Sequence, residues 1–133
     1  MFAIPMQSDI AAMVARAVLG LLFIVHGWPK VKDLKGTMKF VAGTGFPGGS
    51  AFALAFSLLE FFGGIALVIG LLTQVVAVLC VLEMIATTIF AKRTLKKKFV
   101  GGYELDITYL VLALLVLMLG AGAWSVDRLI GLA

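Results

Sequence analysis

The feature that most constrains the fold of this chain is a set of four apolar runs, each long enough to cross a membrane as a helix. They cover about residues 10–28, 50–72, 74–91 and 105–122, and a spanning helix needs about 20 mostly apolar residues. Apolar residues make up 62% of the chain and charged residues 14%, whereas soluble domains have about 45–50% and about 25%. We therefore predict an all-α integral membrane protein, a four-transmembrane-helix bundle in which residues 1–133 form a single membrane domain.

The segments that connect these apolar runs predict where the helices end. The first run is expected to stop at Pro29, because the residue before a proline disfavours helix. The glycine-rich stretch Gly43–Gly49 is expected to form a loop. Only Thr73 and Gln74 separate the second and third runs, so we predict a tight antiparallel hairpin whose turn begins near Gly70.

The basic residues predict the orientation of the bundle. Nine of the eleven lysines and arginines lie in the loops after the first and third runs: Lys30, Lys32, Lys35, Lys39, Lys92, Arg93, Lys96, Lys97 and Lys98. The positive-inside rule makes these loops cytoplasmic and puts both termini on the outer side. This placement indicates membrane topology and a lipid partner, not nucleic acid, although some of the lysines could instead bind a charged ligand or a protein.

Three ionisable residues fall near the middle of the apolar runs: Arg16, Glu60 and Glu83. Each such residue costs about 2.5–3.5 kcal/mol at the centre of an inserting helix, so each needs a partner or a function. Helical spacing places them on three faces that we expect to line one polar centre. The faces are Arg16, Gly20, Phe23 and Gly27; Phe56, Glu60, Gly63, Gly64 and Leu67; and Val76, Cys80, Glu83 and Thr87.

Two carboxylates against one guanidinium leave a negative charge in excess, and binding a proton at one glutamate would relieve it. A protonatable carboxyl group beside a fixed cation suits proton-coupled redox chemistry or transport. The alternative is structural, because a buried pair between Arg16 and Glu60 can fix helix register without chemistry.

A second polar group is predicted toward the cytoplasmic side, from His26 and Lys30 with Tyr103, Glu104 and Asp106. The imidazole could pass protons between water and the buried glutamates, or could simply form hydrogen bonds at the membrane interface. The chain has one histidine and one cysteine, too few for an ordinary zinc, haem or copper site, so no metal is expected.

The order and spacing of several motifs resemble the DoxX family of small bacterial and archaeal membrane proteins. The motifs are Arg16 with Leu19-Gly20 and Phe23, His26-Gly27 before Lys30, Glu60-Phe-Phe-Gly-Gly64 with Gly70-Leu71, Gly102-Tyr-Glu104, and the closing Gly120-x-Gly-x-x-Ser-x-Asp127. The resemblance implies a four-helix bundle in a prokaryotic cell membrane and an association with respiratory or redox chemistry. The related DoxD branch is linked to thiosulfate:quinone oxidoreductase.

The first functional hypothesis is a membrane subunit of a redox system that binds a quinone or a similar lipophilic ligand. Glu60, Glu83 and His26 are its candidate catalytic residues, and Arg16, Phe23, Phe56 and Glu104 its candidate ligand-binding residues. No covalently bound cofactor is expected, so electrons would come from a partner oxidoreductase subunit, or the chain would act as a homo-oligomer. The alternatives are a proton-coupled small-solute carrier and a membrane scaffold or assembly factor.

Overall fold

The computed structural model describes residues 7–133 and is helical throughout its regular elements, with no strand in that range. Four helices are long and apolar enough to cross a membrane: span one (Gln7–Lys32), span two (Gly49–Ile69), span three (Thr73–Thr94) and span four (Phe99–Leu119). The regular α-helix of span four begins at Glu104. Two shorter helices are the loop helix (Leu34–Gly43) and the terminal helix (Val126–Leu129). The prediction of four spanning helices is confirmed, while the side on which each terminus lies stays a prediction.

The four spans form a ring of neighbours around a shared interior. Span one packs on span two, span three packs on span four, and span four also contacts span one. The interior is filled by Leu19, Phe23, Leu67, Val76, Ala77, Cys80, Met84, Tyr109, Ala113 and Val116. Many large apolar side chains point outward instead, as expected for helices whose surroundings are lipid.

Glycines let span one and span two cross almost backbone to backbone. A Cβ atom added to Gly20 would lie 2.6 Å from the carbonyl oxygen of Gly64, and one added to Gly64 would lie 2.7 Å from that of Gly20. Further along, a Cβ atom at Gly27 would lie 2.7 Å from the backbone nitrogen of Phe61. Small residues on these two helices thus allow their close approach.

The predicted end of span one at Pro29 is wrong, because the helix continues to Lys32. Proline removes one N–H donor, and spanning helices tolerate that loss when the neighbouring turns stay bonded. Here the N–H of Asp33 still donates to the carbonyl oxygen of Pro29 over 3.2 Å. Because the helix continues beyond Pro29, Lys30 belongs to span one and not to the loop that follows it.

The hairpin between span two and span three is as predicted. Span two ends at Ile69, Gly70 takes the left-handed conformation with φ of 76°, and span three begins at Thr73. Leu72 also has positive φ, at 51°, a conformation that is unusual for a residue with a side chain. The turn is therefore held by contacts from elsewhere in the chain.

Candidate functional site

The ion pair between Lys30 and Glu60 links span one to span two, with the carboxylate buried and the lysine side chain 33% exposed. The Lys30 ammonium donates to both carboxylate oxygens of Glu60, over 2.8 and 2.6 Å. Glu60 is only 4% exposed. The close approach of Gly27 to the backbone at Glu60 and Phe61 brings the last turn of span one against this carboxylate.

Glu60 lies in a π-helical turn of span two, Leu59–Gly63. Such a turn inserts one extra residue into the helix and is frequent at functional sites. The turn lies where Gly27 of span one approaches the backbone of Glu60 and Phe61, and there Glu60 faces Lys30. A local departure from the α-helix thus accompanies the buried charge.

Glu83 is a second buried carboxyl group beside the first. It is 6% exposed, and neither of its oxygens has a hydrogen-bond partner among residues 7–133. Its strongest ionisable neighbour is Glu60, followed by Lys30 and Asp106. Of the three residues predicted to share one polar centre, Glu60 and Glu83 lie together, with Lys30 as the cation in place of Arg16.

A cleft of about 480 Å³ opens beside the ion pair, between the loop helix and the spans. We call it the Lys30 cleft. It is lined by Pro29, Lys30, Asp33, Gly36, Thr37, Phe40, Val41, Phe52, Phe56, Glu60, Thr87, Phe90, Ala91, Leu95, Lys97 and Asp106. Aromatic rings form much of its wall, and the Lys30 ammonium lies 4.7 Å from the centre of the Phe56 ring. The lining of the cleft therefore combines an apolar aromatic surface with the charged groups of Lys30 and Glu60.

The predicted pairing of Arg16 with the glutamates is wrong. Arg16 is 1% exposed, yet its guanidinium donates to backbone carbonyl oxygens, those of Leu67 and Val68 at 2.8 Å each and that of Trp124 at 2.6 Å. Asp127 is its charged neighbour. Arg16 thus bonds to carbonyl oxygens at the end of span two, where few helical N–H donors remain, about two turns away from Glu60.

Three other predicted site residues also lie outside the Lys30 cleft. His26 shares a 2.7 Å hydrogen bond with the hydroxyl of Tyr109, and Phe23 packs edge-on against the same ring in the core. Glu104 accepts a hydrogen bond from the N–H of Gly101 over 2.7 Å, at the start of span four. Of the four predicted ligand-binding residues, only Phe56 lines the cleft.

A second cavity, of about 590 Å³, lies near the hairpin turn and the terminal helix, and is lined by Asp9, Leu72, Thr73, Gln74, Val75, Leu119, Gly120, Ala121, Gly122, Ala123, Asp127, Arg128, Leu132 and Ala133. None of the predicted site residues is among them. We place the candidate site in the Lys30 cleft, although it is the smaller cavity, because the buried Glu60 lines it together with its partner Lys30 and with Asp106. No group of His, Cys, Asp and Glu side chains suited to a metal ion occurs within residues 7–133.

Sequence reasoning placed Lys30 and Asp106 in a separate polar group and so missed their place in this cleft. A signal was present, since Lys30 follows Gly27 by three residues and so lies on the same helical face. The expected stop at Pro29 hid it, because that boundary moved Lys30 out of the helix.

Comparison with known proteins agrees with this architecture. The sequence pattern of the DoxX family matches residues 11–93. The chain is a member of the DoxX family. The match covers most of the three spans that carry Lys30, Glu60 and Glu83, so the ion pair and its neighbouring carboxyl group lie inside the DoxX region. No solved structure matches the chain.

Relatives of this DoxX protein include two of similar length. "Putative oxidoreductase CatD" of Bacillus subtilis (strain 168) is 31% identical over 119 residues, covering 90% of this chain and 86% of CatD. "Inner membrane protein YqjF" of Escherichia coli (strain K12) is 33% identical over 129 residues, covering 92% of this chain and 94% of YqjF. The protein is thus a multi-pass membrane protein whose relatives match it over nearly their whole length.

Proposed function

We propose that this DoxX-family protein is a membrane subunit of a prokaryotic redox system and binds a quinone, or a similar ring-bearing lipophilic molecule, in the Lys30 cleft. The observation that carries the proposal is the position of the Lys30 and Glu60 pair at the floor of an aromatic-walled cleft. Binding sites for small molecules typically combine apolar walls with a few placed polar groups.

The groups in the cleft suit the two ends of such a ligand. The rings of Phe52, Phe56 and Phe90 form an apolar wall for an aromatic ring. The Lys30 ammonium would donate to a carbonyl oxygen of the headgroup, as lysine provides donors and no acceptor. Reduction of a quinone to a quinol takes up two electrons and two protons, and Glu60 and Glu83 would hold protons for that uptake.

The electrons would come from a partner oxidoreductase subunit. The name of CatD supports a redox role, and that of YqjF supports location in the inner membrane. The quinone would be held without a covalent bond, by Lys30 and the aromatic wall. His26 and Arg16 have no direct role in this proposal, because their hydrogen bonds are made elsewhere.

The test is binding of a fluorescent quinone analogue to purified protein in lipid nanodiscs. Lys30→Gln removes the donor, and we expect Kd to rise about tenfold or more, since a hydrogen bond to a charged group contributes about 1.5–3 kcal/mol. Glu60→Gln should also weaken binding, because it releases the ammonium from its position. Glu104→Gln is the matched control, since Glu104 lies outside the cleft, and should bind as the wild type does.

Fold integrity is checked by helical circular dichroism and elution as a single species. Wild-type affinity in a folded Lys30→Gln variant would overturn the proposed site. Equal weakening in Glu104→Gln would mean that the loss is general and not a property of the cleft.

A further inference from the structure

The buried carboxyl group of Glu83 has no direct contact with water or with a hydrogen-bond partner among the described residues. The ionisable groups that face it come from each of the other three spans: Lys30, Glu60 and Asp106. Lys30 and Glu60 are already bonded to each other. A proton that reaches or leaves Glu83 therefore needs a route that the ion pair does not block.

Thr87 lies one helical turn beyond Glu83 on the same face of span three. It is half-buried and lines the Lys30 cleft, whereas Glu83 does not. Its hydroxyl lies 3.3 Å from the carbonyl oxygen of Met84 and 3.8 Å from the sulfur of the same residue, and the first distance is longer than the usual O–H···O distance of about 2.5–3.0 Å. Because these contacts are long, the hydroxyl can turn to donate to another acceptor, and its oxygen can accept a hydrogen bond.

Asp106 is the ionisable residue that span four contributes to the lining of the cleft. It lies in the first turn of span four, is half-buried, and lines the cleft together with Thr87 and Lys97. The Thr87 hydroxyl is within interaction range of its carboxylate, and Lys97 and Lys30 attract the same group. Its position on the cleft wall makes Asp106 open to water in a way that Glu83 is not.

We propose that Asp106 and Thr87 form a proton route between the Lys30 cleft and the buried pair of Glu83 and Glu60. Asp106 takes a proton from water and passes it to the oxygen of Thr87, whose own hydroxyl proton moves to Glu83 directly or through water in the cleft. Asp106 and Thr87 end as they began, Glu83 has gained a proton and lost its negative charge, and a hydronium ion in the cleft water has been consumed. The purpose of this route, proton supply to a bound quinone, rests on the proposed function.

The experiment follows exchange of the Glu83 proton for deuterium, with no quinone present. Infrared spectra of the protein in lipid vesicles show the C=O band of a protonated carboxyl group, and loss of that band in Glu83→Gln assigns it. After mixing with D2O, we expect the band to shift about tenfold or more slowly in Asp106→Asn and in Thr87→Val than in the wild type, as a positioned proton donor contributes at least that much. Thr87→Ser, which keeps the hydroxyl, should exchange at the wild-type rate.

Asp33→Asn is the matched control, because Asp33 lines the same cleft but accepts a hydrogen bond from Gly36, a cap that asparagine maintains. Wild-type exchange in Asp106→Asn and Thr87→Val, equal slowing in Asp33→Asn, or a wild-type spectrum without a Glu83 band would overturn the proposal. The two proposals fail separately: exchange can follow this route in a protein that binds no quinone analogue, and binding can occur in one whose exchange ignores Asp106.

Discussion

Arg16 illustrates how a buried cation can be satisfied without an opposite charge in hydrogen-bonding contact. Three carbonyl oxygens accept from its guanidinium, and two of them belong to the last turn of span two. The end of a helix carries partial negative charge, which favours a cation there. The sequence shows that Arg16 needs a partner, but backbone carbonyls carry no sequence signature, so reasoning from side chains directed it to Glu60.

Asp127 is the acidic counterpart of Arg16 at the same turn. Its carboxylate accepts from the N–H groups of Leu72 and Thr73, over 2.7 and 2.8 Å, and so caps the start of span three. Burial raises the pKa of Asp127, but these backbone hydrogen bonds and the attraction of Arg16 outweigh burial and leave it below the ordinary value of 3.8. The folded state therefore favours the charged form.

We expect Asp127→Asn to destabilise the fold by about 1.5–3 kcal/mol at neutral pH, because hydrogen bonds to a charged acceptor are lost. Since the folded pKa is depressed, the contribution of Asp127 is fully present above the unfolded pKa of about 3.9 and disappears as pH falls through the folded value. Thermal unfolding in detergent, measured from pH 7 down to pH 2, should show the gap between wild type and variant closing below about pH 4. Asp33→Asn, which removes an exposed carboxylate at the other end, should leave the neutral-pH midpoint unchanged.

At the scale of elements, the sequence predicted which helical faces are buried, but only in part which residues those faces contact. Every residue assigned to the buried faces of spans one and two is buried, because helical periodicity of small and apolar residues is a strong signal. The loop helix was missed because the glycines after it suggested a loop. Its signal is local: the side chain of Asp33 accepts from the N–H of Gly36 as an N-cap.

The crossing of spans one and two gives a prediction about a single methyl group. Gly20→Ala places a Cβ atom against the backbone of Gly64, and neither backbone can move without the other. We expect a loss of about 1–3 kcal/mol of stability, the usual cost of overpacking. Unfolding of the detergent-solubilised protein measures it.

Gly43→Ala is the matched substitution, since a Cβ atom at Gly43 has open space within 4 Å and the residue is helical. It should be neutral or slightly stabilising, because alanine favours helix over glycine. A Gly20→Ala variant as stable as Gly43→Ala would show that the two spans can separate freely.

At the scale of the whole molecule, the basic residues and the Lys30 cleft occupy the same end of the bundle. Lys30 in the last turn of span one and Lys97 in the loop after span three both line the cleft. If those loops are cytoplasmic, the cleft opens toward the inner leaflet. Sequence reasoning predicted the common side of the loops but not the cleft, which depends on how the loop helix packs against the spans.

Labelling of single cysteines tests that orientation. In a Cys80→Ser background, we expect Ala133→Cys to react with a membrane-impermeant maleimide in spheroplasts, and Lys35→Cys to react only after the membrane is opened. The physical reason is the retention of lysine and arginine on the cytoplasmic side. The opposite pattern would reverse the orientation and place the cleft at the outer leaflet, without changing the fold.

The bond between Arg16 and the carbonyl oxygen of Trp124 joins residues 108 positions apart. Biosynthesis delivers Arg16 to the bilayer three spans before Trp124 and Asp127. Until those two residues emerge, the nascent protein carries a guanidinium in hydrocarbon that has only part of its bonding complete. Closure of this end of the bundle therefore waits for the segment that follows span four.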